Sequence, residues 1–206
     1  DDIKLVIAAR EFQTNSGPID AIGFDRDGEI YIIETKLYKN PDKRTVVAQV
    51  LDYGAALAFN YSDFNLFLNE LDAKVKQHFK TSIQQKTNNF FEFEEEESKI
   101  FFESIRINFL EGKYRFVVLM DKLESRLRDL IRYINQNSQF DIYAVEIEYY
   151  QFENYEIVIP KLYGAEIKKE VSSSHTNNRK KWGETSFFSE AKNNLMENDF
   201  ISLRKI

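Results

Sequence analysis

Apolar positions cluster in three short runs near the start of the chain, and this pattern is typical of β-strands. The first candidate strand runs from Leu5 to Phe12, the second from Ile19 to Phe24 and the third from Ile30 to Leu37. Gly17-Pro18 separates the first two runs. Asp27-Gly28 turns the chain between the second and the third, because Asp and Gly tolerate the positive φ angles of tight hairpins. The pattern predicts an antiparallel meander.

Helical spacing of apolar residues follows the meander. Asn40 is a suitable cap and Pro41 a suitable first residue for a helix that we predict to extend to about Phe59. A second apolar stripe predicts a helix from Ser62 to about Gln85. The acidic run from Glu94 to Glu97 predicts a solvated loop or the start of a helix.

The rest of the chain alternates strand and helix before it becomes polar. "YRFVVLMD" is typical of a buried strand, "KLESRLRDLIRYINQN" of an amphipathic helix and "FDIYAVEIEYY" of another strand. Such a βαβ unit usually has parallel strands, so the sequence predicts an α/β fold with a central mixed sheet flanked by helices. We divide the chain into a domain at 1–163, a polar linker at 164–183 and a small C-terminal helical appendage at 184–206.

Composition narrows the chemistry that the chain can perform. The 206 residues contain no cysteine, which excludes disulfides, zinc sites built from thiolates and cysteine nucleophiles. Two isolated histidines, His78 and His175, cannot form a histidine-rich metal cluster. Any metal must therefore be held by oxygen ligands. No apolar run approaches the roughly 20 residues that span a bilayer, so we expect a soluble, cytoplasmic protein without a membrane partner.

The charge balance is acidic, with a net charge of -6 and a pI near 5.2. It argues against a protein that wraps nucleic acid through a broad basic surface. It is compatible with an enzyme that gathers carboxylates around a divalent cation and needs positive charge only along the phosphate path.

Charged residues interrupt the third predicted strand. Glu34 and Lys36 must project on one side of it, since strand side chains alternate, and their neighbours are apolar. Such a pair is costly to bury unless each charge has a partner or a metal. Asp20, at the start of the neighbouring strand, can share a cation with Glu34. With the carbonyl of Thr35 as a further candidate ligand, the set suits Mg²⁺, which prefers oxygen ligands and retains water.

Other residues extend this candidate site. Beside the metal, Lys36 could orient or deprotonate an attacking water and neutralise charge on a scissile phosphate. Gln49 and Tyr53 are four residues apart, on one helical face that can cover the strand. Three basic residues lie in the connection and the first helical turn, where they could bind nucleic acid: Lys39, Lys43 and Arg44.

These motifs together resemble the PD-(D/E)XK nuclease superfamily. "PID" is similar to the first motif, with Asp20 as metal ligand, and "ETK" to the second, with Glu34 as ligand and Lys36 as catalytic lysine. "QVLDY" looks like the Q-x-x-x-Y element of the branch related to the nuclease domain of bacterial helicase-nucleases, with Gln49 and Tyr53 in its two positions.

The resemblance is most specific from about Leu5 to Phe59, and the later segments are similar to uncharacterised bacterial members. It implies a restriction-endonuclease-like three-layer core and a Mg²⁺-dependent deoxyribonuclease, with Mn²⁺ as a substitute. The expected partner is DNA, and a homodimer is left open. Family members commonly contribute another acidic residue from a helix before the first strand, and the given sequence begins close to that strand.

Plainer interpretations stand beside these. Asp20 could end a turn, Glu34 and Lys36 could pair on an exposed edge, and Gln49 and Tyr53 could be ordinary helix-surface residues. The basic residues of the connection could be a solvated helix start. Four aromatic residues could stack bases or belong to the core and the sheet surface: Tyr149, Tyr150, Phe152 and Tyr155. The functional alternatives are a catalytically inactive nuclease-fold module that binds nucleic acid or a partner protein, and an unrelated protein-interaction domain.

Overall fold

The predicted meander forms one half of a mixed β-sheet. The structure is a computed structural model that describes residues 4–36, 45–61, 63–152 and 155–164 of the 206. Within those ranges the strands are β1 (Val6–Thr14), β2 (Gly17–Phe24), β3 (Ile30–Lys36), β4 (Tyr114–Met120), β5 (Asp141–Phe152) and β6 (Tyr155–Tyr163). The helices are α1 (Thr45–Asn60), α2 (Phe64–Phe79), α3 (Ile83–Phe91), α4 (Glu95–Leu110) and α5 (Ser125–Asn137).

The strands lie side by side in the order in which they occur along the chain. β1, β2 and β3 pair antiparallel, β3, β4 and β5 pair parallel, and β6 returns antiparallel to β5. Parallel neighbours require long crossover connections. One crossover contains α1 to α4, and the other contains α5. The prediction of an α/β chain with a mixed sheet and packed helices is confirmed.

All five described helices pack against the same side of the sheet. Both crossovers advance in the same direction across the sheet, and right-handed crossovers that do so lie on one face. Buried residues from all five helices form one cluster with Ile32, Val118 and Ala144, and we call this side the helix-side face. The alternate strand positions form a smaller cluster on the second face, which is centred on Ile33 and Val117.

The hairpin between β2 and β3 fixes the position of the central strand. Asp25 Oδ1 accepts hydrogen bonds from the backbone N–H groups of Asp27 and Glu29, at 3.1 and 3.0 Å. Gly28 has a φ of 79°, and a Cβ built there would lie 2.8 Å from Ser104 Cβ on α4. The predicted Asp-Gly turn is thus required both by its backbone conformation and by the close approach of α4.

The predicted helix from 62 to 85 is wrong in its extent, because the chain breaks between α2 and α3. Lys80 adopts a left-handed conformation, and Ser82 then begins α3 with a capping box that includes Gln85. The acidic run is the start of α4, as one of the two interpretations had it. Glu97 accepts a hydrogen bond from the backbone N–H of Glu94 there, at 3.0 Å.

Some predicted elements cannot be compared with the structure. The start of the first helix at Pro41, the appendage at 184–206 and the linker beyond Gly164 lie outside the described residues. In the ranges that are described, none of the helices has the length and apolar character needed to cross a membrane.

Gly54 sets how closely α1 approaches the sheet. A Cβ added there would lie 2.7 Å from Cζ of Phe116, whose ring also packs edge-on against Phe140. We expect Gly54→Ala to lower the free energy of unfolding by about 1 to 2 kcal/mol, because overpacking outweighs the helix-propensity gain of up to about 1 kcal/mol. Urea denaturation measures the change.

A double variant tests the assigned cause. Phe116→Leu removes the ring atoms that the added methyl would meet, so Gly54→Ala should cost less in that background than in the wild type. Equal costs in the two backgrounds would contradict the assignment.

Candidate functional site

Five of the predicted site residues lie close together at the carboxyl end of β3. Glu34 and Lys36 occupy alternate positions of β3, opposite Val118 and Met120 of β4. The β2–β3 pairing ends with Ala21 opposite Ile33, so Asp20 and Glu34 are the next residues of the two strands. α1 brings Gln49 and Tyr53 over them.

Glu34 is a buried carboxylate rather than half of a surface pair. The residue is only 4% exposed, and its Oε2 atom has no hydrogen-bond partner. Oε1 lies 4.0 Å from the ammonium of Lys36, whose side chain is 20% exposed. The exposed-edge interpretation of this pair is therefore wrong.

The surroundings of Glu34 disfavour its charged form. Burial is the largest cause, and together with the negative charge of Asp20 it raises the pKa of Glu34 to about 7. The ammonium of Lys36 and the hydroxyl of Tyr53 lower the pKa in part. A cation bound between the two carboxylates would remove this penalty.

Lys36, Gln49 and Tyr53 form a continuous hydrogen-bonded chain. The Lys36 ammonium donates to Gln49 Oε1 at 3.3 Å, and Gln49 Nε2 donates to the Tyr53 hydroxyl at 2.7 Å. Burial raises the pKa of Tyr53, so this phenol stays protonated and interacts with Glu34. Tyr53 is 2% exposed, so the helix-surface interpretation of this residue is wrong.

Asp20 is held by the residue between Glu34 and Lys36. Its Oδ2 atom accepts the backbone N–H of Thr35 at 2.7 Å and also the Thr35 hydroxyl. The pairing of β2 with β3 ends before Thr35, so no backbone carbonyl of β2 pairs with its N–H group. The Asp20 carboxylate accepts that hydrogen bond instead. Asp20 is more than the end of a turn. The hydroxyl contact of Thr35 was not predicted, since the alternation of the strand directs that side chain away from Glu34.

The donor set fits a hard cation that keeps part of its hydration shell. Glu34 supplies a buried oxygen without a partner, and Asp20 lies close enough to shift its pKa. Nowhere in the described ranges do three acidic or histidine side chains converge as a closed metal cage. Two carboxylates, with waters and the predicted Thr35 carbonyl, are the kind of site that Mg²⁺ occupies.

The basic and the aromatic candidate residues lie outside this group of five. The basic residues Lys39, Lys43 and Arg44 lie outside the described residues. Four aromatic residues of β5 and β6 lie on the sheet surface and not in the core, since each is at least half exposed: Tyr149, Tyr150, Phe152 and Tyr155.

Comparison of the chain with protein-family models, curated proteins and solved structures gives no match.

The raised pKa of Glu34 predicts how stability depends on pH without divalent cations. Between about pH 4.5 and pH 7 the unfolded chain releases this proton while the folded chain retains it, so rising pH favours unfolding. Relative to Glu34→Gln, wild type should lose up to about 3 kcal/mol of unfolding free energy across this window. Urea denaturation in EDTA at several pH values measures the difference.

Glu95→Gln is a suitable control, because that side chain is 85% exposed at the start of α4. It should follow the wild-type pH profile. If the unfolding free energies of Glu34→Gln and wild type changed with pH in parallel, Glu34 would have the same pKa in the folded and the unfolded chain, and the prediction would be wrong.

Proposed function

We propose that this protein is a metal-dependent nuclease that hydrolyses DNA phosphodiester bonds. One observation carries the proposal: the buried Glu34 oxygen has no partner, beside a second carboxylate and a lysine. A merely structural ion pair would satisfy both oxygens of the carboxylate. A carboxylate with an unpaired oxygen is suited to bind a cation.

Glu34 and Asp20 would hold Mg²⁺, with Mn²⁺ as a substitute and the Thr35 carbonyl as a third protein ligand. When bound, the cation would supply Lewis-acid stabilisation of the charge that develops on a phosphate in hydrolysis. The contact of Thr35 with Asp20 orients that carboxylate before any ligand arrives. This support keeps the two carboxylates together despite their mutual repulsion.

Lys36 is the residue best placed to act on the nucleophile and on the phosphate. Its ammonium points into the site and is partly accessible, and Gln49 fixes its position with the hydrogen bond at 3.3 Å. There it can orient an attacking water and offset the charge of the scissile phosphate. The Tyr53 hydroxyl accepts a hydrogen bond from Gln49 Nε2 and so fixes the orientation of the Gln49 amide. We assign Gln49 and Tyr53 as positioning residues for Lys36.

The chain topology supports the same function. The chain forms a hairpin, then a central strand that carries the acidic and basic pair, then a covering helix with Gln and Tyr four residues apart. This order is that of the family that the motifs resemble. We extend the proposal to the restriction-endonuclease-like core. The described helices supply one of the two outer layers that a three-layer core has.

Cleavage of labelled linear and circular DNA, single- and double-stranded, tests the proposal in Mg²⁺, Mn²⁺ and EDTA. Wild type should cut only with a divalent cation. Lys36→Met should lower the rate at least about 100-fold, because it removes the group that acts on water and phosphate while preserving the aliphatic stem. Circular substrates separate endonuclease from exonuclease activity.

Lys99→Met is the matched control, since Lys99 forms exposed ion pairs on α4, far along the chain from the site. It should cut like wild type. Equal cutting by the Lys36 variant would exclude this residue from the reaction. A folded wild type that binds DNA but never cuts would replace the proposal with the non-catalytic module.

A further inference from the structure

β5 and β6 continue beyond the rest of the sheet as a two-stranded ribbon. The pairing of β5 with β4 ends at Glu146 opposite Met120, whereas its pairing with β6 continues to Phe152 opposite Tyr155. We call residues 147–152 and 155–160 the ribbon. No other described strand pairs with either half of it.

The ribbon exposes an unusual amount of apolar surface. Seven of its large apolar side chains are between 43% and 70% exposed: Tyr149, Tyr150, Phe152, Tyr155, Ile157, Val158 and Ile159. Apolar residues on both faces are typical of strands that are covered on both sides. An isolated two-stranded ribbon is marginally stable in water. The ribbon therefore has the composition of strands that pack against a partner surface.

The larger apolar patch lies on the helix-side face. On β5, Glu146 projects to the same face as Ala144, which belongs to the helix-side cluster. The Tyr163 hydroxyl of β6 donates a hydrogen bond to Glu146 at 3.2 Å, so Tyr163 projects to that face too. Every second residue of β6 before Tyr163 therefore also projects to the helix-side face. Five large side chains therefore lie together on this face of the ribbon: Tyr150, Phe152, Tyr155, Ile157 and Ile159. They form the ribbon patch.

The charges of the ribbon argue against nucleic acid as the occupant. It contains Glu148 and Glu156 and no basic residue. The nearest lysine, Lys161, forms an ion pair with Glu148. Surfaces that stack unpaired bases combine aromatic rings with a positively charged groove, and the described residues of the ribbon supply no basic side chain for one. An apolar, charge-poor surface with aromatic and β-branched residues has the composition of a homodimer interface.

The backbone argues against the addition of a strand to the edge. Pro160 lacks an N–H group and lies in β6, the edge strand of the described sheet. Proline in an edge strand interrupts the hydrogen bonds that an added strand would need. Side-chain packing of one ribbon face on another is therefore favoured over edge pairing.

We propose that the ribbon patch is the interface of a homodimer in which the helix-side faces of two ribbons pack on each other. A two-fold interface uses the same patch twice, so each copy covers the surface that the other leaves exposed. Five side chains, each roughly half to two-thirds exposed, contribute on the order of 600 Å² per copy. Two copies then bury about 1,200 Å², the lower bound of a specific interface.

Analytical ultracentrifugation of the full chain between about 1 and 200 µM tests the proposal. We expect a mass of twice 24.4 kDa at the upper concentrations. Ile157→Lys should weaken the dimer at least tenfold, because it places a charge in the patch. Val158→Lys is the matched control, since it changes the adjacent residue, 56% exposed on the opposite face of the same strand. It should leave the mass unchanged. Circular dichroism verifies that both variants fold.

The absence of cysteine allows an independent measurement. Ile157→Cys is then a single thiol at the centre of the patch, and it should form an interchain disulfide faster than Val158→Cys. A monomer at every concentration would overturn the proposal, as would a dimer that Ile157→Lys leaves intact. DNA binding that Ile157→Lys weakens, without any change in mass, would assign the ribbon to nucleic acid instead. None of these readouts depends on nuclease activity.

Discussion

The parallel pairing of β3 with β4 is the constraint on which the candidate site depends. Parallel neighbours cannot be joined by a hairpin, so the chain must cross over the sheet, and α1 is the first described helix of that crossover. Its right-handed sense places α1 on the face to which Glu34 and Lys36 project. Gly54 then allows that helix to approach closely enough for Gln49 to reach Lys36. Had a hairpin joined β3 to an antiparallel strand in the place of β4, no crossover helix would have been needed above the two charges.

Once α1 covers Glu34, electrostatics governs the site. Burial beneath α1 removes water that would otherwise solvate the charged form of Glu34. The nearby carboxylate of Asp20 repels the same negative charge. The remaining contacts each moderate that cost: Lys36 at 4.0 Å, the Tyr53 hydroxyl, and Thr35, which holds Asp20. They do so incompletely, since one Glu34 oxygen is left without a partner. In the proposed site, a bound cation would supply the missing partner, so metal binding would stabilise the organisation of the site.

Sequence reasoning located the site because its residues obey local rules. The alternation of strand side chains placed Glu34 with Lys36, and helical spacing placed Gln49 with Tyr53. It missed the break after Lys80 because the apolar stripe continued through it, although Ser82 and Gln85 form a local capping box there. It left the start of α4 open between a loop and a helix, although an acidic first turn favours a helix N-terminus. The contact between Thr35 and Asp20 depends on where β2 and β3 separate, a property of two strands together that neither segment specifies alone.

The two proposals rest on opposite mismatches between residue and environment. Glu34 is a charged residue in a position suited to an apolar one, whereas the ribbon patch is apolar in a position suited to polar residues. Sequences are usually consistent across such levels, and violations concentrate where a ligand or partner restores consistency. A cation would balance the charge at Glu34, and a second copy would cover the patch. The two remedies are physically independent, because the ribbon begins only after β5 has passed its last pairing with β4. Loss of one function should therefore leave the other intact, which separates a defect of the site from a defect of assembly.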